Sequence, residues 1–485
     1  MSAPSPITDR EATFRALLLA VFLAAAEATV VSTALPRIVA DLGGLRLYGW
    51  AGSSYLLAST VTMPLFGRLA DLHGRKPIFQ IGLALFFAGS ALCGWAFSFP
   101  MLLAGRVVQG LGAGSIQPVA MTLIGDLYPV EERARVQGIV GSIWAVAGVA
   151  GPLLGALLVE GPGWRWVFWV NLPFAAGSAF AIQRALHEPR REGERAPLDL
   201  LGALLLVVAA VSLLLAAEGV APLLTGTLAL TGAVAFVFQE RRARSPLLPL
   251  PLLARPEVGI ASGAALASGA LLMGSVLYLP LWVQGVAAKS PATSGLALGP
   301  MLVGWPIAAT LSIRWARATS FRHVARVGAL LIVGGALALS TAVLLRSPIP
   351  VVGASTFLLG AGLGLAVTSL LVSLQTRVGF AQRGVATAVT LFARTLGGAL
   401  GVGVLGALLA RGLGEGEIAR QIRMLLAPGA ERAALDASAT AVLEASLLPV
   451  WISFVLLAAL HGAVVSRYPR RLAEPDGDAG VSPRS

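Results

Sequence analysis

Long apolar runs recur along this 485-residue chain with short polar breaks between them, about fourteen in all. A run near 20 residues can cross a bilayer as helix. The first six cover Phe14–Leu35, Tyr48–Phe66, Pro77–Phe97, Phe99–Leu123, Val136–Val159 and Val167–Leu186. A charged break, His187 to Arg195, precedes two further runs, Leu198–Ala217 and Ala221–Phe238, joined by a tight turn around Gly219. A basic, Pro-rich break from Glu240 to Pro256 leads into six more: Val258–Val286, Ser294–Ile313, Val324–Leu345, Val351–Leu374, Val385–Ala410 and Leu447–Val465. The long segment Arg411 to Ser446 mixes charges with Ile418, Ile422, Leu425 and Leu426, the pattern of a short amphipathic helix at a membrane surface.

Composition agrees with a membrane solvent. The chain is 56% hydrophobic and 12% charged, about half the charged fraction of an ordinary soluble protein. The net charge of +12 invites a nucleic-acid reading, but its placement argues against one. Of the 36 basic residues, about 25 fall on one side of the expected spans and about nine on the other. By the positive-inside rule the basic side is cytoplasmic, and an even number of spans puts both termini there. Cys93 is the single cysteine, so no intrachain disulfide can form. The polar segment 1–13 followed by a run of about 20 residues reads as a retained first helix rather than a signal peptide, because the run is long and contains Glu27.

The most specific motif is Gly67-Arg-Leu-Ala-Asp71-Leu-His-Gly74-Arg75-Lys76, a charged link between two apolar runs. It resembles the loop signature of the major facilitator superfamily, with Leu72 where that family often carries a basic residue. Two six-helix halves are that family's architecture, with substrate sites near the midplane between them. The six-two-six count further resembles its fourteen-helix branch, the drug:proton antiporter-2 family. The resemblance thus implies an all-α membrane protein with a first bundle over 14–197, two extra helices over 198–239, a second bundle over 240–465 and polar ends 1–13 and 466–485. It also implies that Gly67, Asp71, Gly74, Arg75 and Lys76 take part in gating, with Asp71 and Arg75 locking the cytoplasmic ends when the cavity opens outward.

Glu27 lies well inside the first run, where a charge costs about 2.5–3.5 kcal/mol even on lenient insertion scales. Its surroundings, Ala26-Glu27-Ala-Thr29-Val-Val-Ser32-Thr33-Ala-Leu-Pro36, resemble the first-helix motif of the same branch, with Glu in place of Asp. No Asp or Glu occurs between Glu257 and Glu415. If an intramembrane carboxylate carries protons, Glu27 is nearly the only candidate; the alternative is a permanently paired structural carboxylate. On the fourth run, Arg106-Val-Val-Gln109-Gly110 resembles the family's R-x-x-Q-G motif, which implies that Arg106 assists proton exchange at Glu27. An Arg snorkelling to the nearby membrane surface is the competing reading.

Gly141, Gly148, Gly151-Pro152 and Gly155 on the fifth run resemble the family's antiporter motif, with Ala156 replacing its last Gly; a generic small-residue packing face is the competing reading. Thr29, Gln109, Trp144, Asn171, Gln284 and Arg394 are candidates for lining a substrate cavity; for Gln284 and Arg394, helix-to-helix hydrogen bonding competes with that role. No G-x-x-x-x-G-K-[ST] phosphate loop is present, and four His with one Cys make no metal-ligand cluster, so neither cofactor nor metal is expected. The expectation is a monomeric, non-enzymatic exporter of hydrophobic, cationic drugs in a bacterial inner membrane, exchanging them for protons amid lipid. A lipid or metabolite exporter on the same scaffold and a non-transporting sensor are the alternatives.

Overall fold

The computed structural model describes residues 9–128, 130–188, 199–217, 219–243, 246, 250–378, 383–413, 421–422, 424, 426 and 437–469. Every regular element among them is helical. The helices are α1 (Arg10–Leu42), α2 (Tyr48–His73), α3 (Arg75–Gly94), α4 (Phe99–Leu127), α5 (Val130–Glu160), α6 (Trp166–Trp169), α7 (Asn171–Ala185), α8 (Leu200–Ala217) and α9 (Pro222–Arg242). They continue with α10 (Leu250–Leu253), α11 (Pro256–Leu281), α12 (Pro291–Ala318), α13 (Phe321–Leu344), α14 (Ile349–Arg377), α15 (Arg383–Gly412) and α16 (Ala437–Ser466). Among the described residues, 11 helices are long and apolar enough to cross a membrane. In hydrocarbon only a helix or closed barrel satisfies every backbone N–H and C=O, which is why uniformly apolar runs become helices here.

Several helices run past their expected ends, as α1 does to Leu42 and α5 does from Val130, and three further differences change the picture. The charged signature is not a loop: α2 continues to His73, and Gly74 alone breaks the helix before Arg75 opens α3. Gly74 holds φ 95°, ψ 150°, a conformation costly for any residue with a Cβ. The last helix begins at Ala437, ten residues before Leu447, because Ala437-Ser-Ala-Thr-Ala-Val-Leu is rich in helix formers and nothing in it terminates the helix. The sixth run is broken into α6 and α7 at Val170. The amphipathic helix expected between Arg411 and Ser446 falls mostly outside the described residues. The turn around Gly219 joins α8 to α9 as expected, with Gly219 at φ 82°.

The chain divides into two compact units. The first contains Met1–Leu247, Met273–Gly299 and Ala399–Val450; the second contains Leu248–Leu272, Pro300–Gly398 and Trp451–Ser485. Helix contacts in both rest on small residues, because in lipid association depends on close packing rather than on expulsion of water. In the first unit, α3 meets α4 where Gly82 faces Ser115, Gly89 faces the Gln109 backbone and Gly112 faces Phe86. There α1 meets α5 where Gly151 faces Thr29 and Gly155 faces Val30 and Thr33. In the second unit Gly328 and Gly335 of α13 press on the α14 backbone at Ala366 and Leu359, and Gly360 lies on the Met301 carbonyl of α12.

Candidate functional site

Glu27 sits at the middle of α1 and is 1% exposed. Arg106, on α4, is 2% exposed and faces it. Its Nη1 donates to Glu27 Oε1 at 2.5 Å and to Gln109 Oε1 at 2.6 Å, and its Nε donates to the Ala51 carbonyl of α2 at 3.0 Å. The guanidinium also lies over the Tyr55 ring, 4.3 Å from its centroid. From α7, Asn171 Nδ2 donates to the other carboxylate oxygen, Glu27 Oε2, at 2.6 Å. Gln109 Nε2 in turn donates to Ser90 Oγ of α3 at 2.9 Å. Five helices therefore converge on one buried ion pair. The bonds to the two carboxylate oxygens are short, the geometry such a pair needs to offset its desolvation. Arg106 does not snorkel: it turns inward.

Chemically, this is a carboxylate whose charge is compensated by one guanidinium and one amide. Protonating it removes one of the contacts that hold Arg106, leaving those to Gln109, the Ala51 carbonyl and the Tyr55 ring.

The other expected residues fall into separate places. Thr29 Oγ1 donates to the Ala26 carbonyl at 3.0 Å and to the Ala147 carbonyl of α5 at 3.3 Å, where Gly151 makes room for it. Gln284 lies on a π-helical turn, Trp282–Val286, that follows Pro280, and its Nε2 donates to the Thr33 carbonyl of α1 at 3.0 Å and to Ser294 Oγ at 3.2 Å. Arg394, half-buried on α15 in the second unit, has no hydrogen-bond or ion-pair partner among the described residues. The side chains of Asp71, Trp144 and Pro152 lie outside the described part of the structure. Helix α5 nonetheless runs unbroken through position 152.

At the Gly74 turn, Glu188 caps α3: its Oε1 accepts from the Arg75 N–H at 3.0 Å and its Oε2 from the Lys76 N–H at 2.9 Å. A carboxylate is favoured at a helix N-terminus by the unpaired N–H groups and the helix dipole. Lys76 Nζ reaches back to the carbonyls of Gln183 at 2.9 Å and Leu186 at 2.7 Å, at the end of α7. Arg75 is buried, and Gly67 faces open space among the described residues.

Sequence reasoning missed Tyr55, Ser90 and Glu188. Glu188 stood in the charged break after the sixth run, where an acidic residue among cations was the available signal. Nothing in the local sequence marks Tyr55 or Ser90, whose roles come from helix packing.

Comparison with known proteins places the scaffold. The sequence profile of the Major Facilitator Superfamily matches residues 17–402. The multidrug transporter protein MdtP of Bacillus subtilis is 33% identical over 418 residues, covering 84% of this chain and 77% of that protein. Multidrug resistance protein 3 of the same organism is 32% identical over 401 residues, covering 80% and 78%. Among solved structures, a bacterial homolog of the human lysosomal transporter Spinster in an inward-facing, unoccupied conformation aligns with TM-score 0.67 at 18% identity, over 96% of this chain and 98% of that one. A D-xylose–proton symporter aligns with the same TM-score at 14% identity, which speaks to fold alone.

Proposed function

Because the chain belongs to the major facilitator superfamily, and is therefore a multi-pass membrane transporter and not an enzyme, we propose that it is a proton-coupled exporter of hydrophobic, cationic drugs. The buried Glu27–Arg106–Asn171 constellation carries this reading. Glu27 takes a proton from outside, releases Arg106, and returns the proton inside as the transport path changes its opening. The resemblance of the relatives to multidrug transporters supports drugs as the cargo.

In this reading the chain is a monomer in the inner membrane with fourteen spans, arranged as bundles over 14–197 and 240–465 with the pair over 198–239 between them, and both termini cytoplasmic. Thr29, Gln109, Trp144, Asn171, Gln284 and Arg394 contribute to the substrate path. The Gly67–Lys76 segment, with Gly151 and Pro152, sets the balance between conformations; Glu188 and Lys76 tie its turn to the end of α7, so that movement there is transmitted as a unit.

The carboxylate-free stretch between Glu257 and Glu415 favours one alternative, export of a lipid or another amphiphile with little positive charge. Proteoliposomes with an imposed pH gradient separate the two. Gradient-dependent accumulation of ethidium supports the drug reading; gradient-dependent movement of a fluorescent lipid without ethidium transport supports the alternative.

A further inference from the structure

The second unit carries a charge imbalance that its own packing does not resolve. Glu257 is the one acidic residue among the described residues of that unit. Some of its cations already have partners: Arg326 Nη2 donates to the Ser466 carbonyl at 2.6 Å, and Arg377 lies over the Tyr468 ring, 5.0 Å from its centroid. Arg314 and Arg317, near the C-terminal end of α12, are different. Both are exposed, and neither has a hydrogen-bond or ion-pair partner among the described residues.

Further along α12 the face that carries these cations is apolar. Val303, Ile307 and Leu311 recur every four residues and are exposed, and at about 3.6 residues per turn Arg314 and Arg317 continue the same face. From Val303 to Arg314 the helix rises about 16 Å, close to one leaflet's share of a hydrocarbon core about 30 Å thick. Trp315, also exposed, meets the His323 ring of α13 edge-on with centroids 5.9 Å apart. Trp of this kind is enriched at the boundary between hydrocarbon and headgroups. Helix α13 starts at once: Ser320 Oγ accepts from the His323 N–H at 3.1 Å, and the first turn contains no acidic residue. The partial negative charge at the end of α12 is therefore offset by the partial positive charge at the start of α13.

We propose that this corner of α12 and α13 binds an anionic phospholipid, with its phosphate on Arg314 and Arg317 and an acyl chain along Val303, Ile307 and Leu311. A free anion would leave the apolar stripe unused. A zwitterionic lipid would bring a cation of its own to a place that already has two without a counter-charge. Arg suits the phosphate because its planar fork can donate to two oxygens at once, and basic clusters at the ends of membrane helices attract anionic headgroups. In the orientation proposed above, the site lies in the cytoplasmic leaflet. Neither the cargo nor proton coupling enters into this binding.

The test uses full-length protein in uncharged detergent micelles and follows binding of acyl-labelled fluorescent phosphatidylglycerol and phosphatidylcholine with matched chains. Wild-type protein should bind phosphatidylglycerol several-fold more tightly, and added salt should narrow that difference. Arg314→Gln combined with Arg317→Gln should lower phosphatidylglycerol affinity several-fold and leave phosphatidylcholine affinity unchanged, with the wild-type melting temperature retained because both positions are exposed. Arg241→Gln combined with Arg242→Gln removes two exposed cations from the end of α9 in the first unit and should leave the binding of both lipids unchanged. Unlabelled phosphatidylglycerol should displace the probe, and inorganic phosphate at the same concentration should not. Equal affinity for the two lipids in wild type overturns the proposal. So does an equal loss in the α9 variant, which would mean general attraction to a basic protein. Displacement by inorganic phosphate would mean a free-anion site and overturns the assignment to lipid.

Discussion

The two units of this transporter solve different problems with the same material. The first holds a buried acid, a buried base and two buried amides within one hydrogen-bonded network on α1, α2, α3, α4 and α7. The second has no carboxylate from Val258 onward through its described helices, and its polar side chains mostly bond to a carbonyl of their own helix, as Ser312 does to Ala309 and Thr356 to Gly353. Such bonds stay within one helix. Its longer-range polar contacts, such as Ser340 to the Trp451 carbonyl and Tyr468 to Ser373, fasten helices together. The contrast is that the buried ion pair lies in the first unit, while the second buries a single histidine, His461, with no carboxylate beside it.

Arg106→Ala should break that contrast most severely. It leaves Glu27 buried without its cation, a change that typically costs about 3–5 kcal/mol, and proton-driven transport should be lost. Thermal unfolding in detergent and vesicle transport check both parts. Arg394→Ala, the matching deletion in the second unit, removes no ion pair. It should shift the half-saturating drug concentration a few-fold while the proton-to-drug ratio stays fixed; a lost ratio would place coupling in both units.

Gly360→Val probes packing in the second unit alone. Its side chain would meet the Met301 carbonyl, and overpacking of this kind costs about 1–3 kcal/mol. A lowered melting temperature with an unchanged coupling ratio is the expected pair of results. At the Gly74 turn, Gly74→Val should slow turnover more than it weakens drug binding, since φ 95° is strained for Val and a Cβ would lie 3.2 Å from Glu188 Oε2. Glu188→Gln should act the same way but more weakly, about 0.3–1 kcal/mol for one carboxylate at a helix N-terminus. Gly67→Ala should change stability by no more than about 0.5 kcal/mol, since its Cβ enters open space among the described residues. If it proves as damaging as Gly74→Val, the two glycines of the signature share a role that static packing does not reveal.

Much of this was legible in the chain because lipid imposes a simple rule: apolar runs near 20 residues become helices, and a carboxylate within one stands out. Glu27 stood out that way, whereas Arg106 was singled out, and linked to it, through the resemblance of Arg106-Val-Val-Gln109-Gly110 to a family motif. Asn171, a candidate for the substrate path, also donates its amide to Glu27, a contact that follows from the break between α6 and α7, which puts position 171 at the start of a helix. Helix ends were read less well. A charged stretch such as Gly67–Lys76 looks like a loop by hydropathy, although a helix can extend past the hydrocarbon and stop only where Gly74 forces it. Tyr48 and Tyr278 are 230 residues apart, and their ring contact depends on helices distant in sequence meeting.

The most direct test compares wild-type protein with Glu27→Gln in proteoliposomes, following ethidium accumulation with and without an imposed pH gradient and ethidium binding in parallel. Wild type should accumulate the dye only with the gradient, and the Gln variant should bind the dye yet fail to accumulate it. Gradient-driven accumulation by Glu27→Gln at the wild-type rate would contradict Glu27 as the coupling residue.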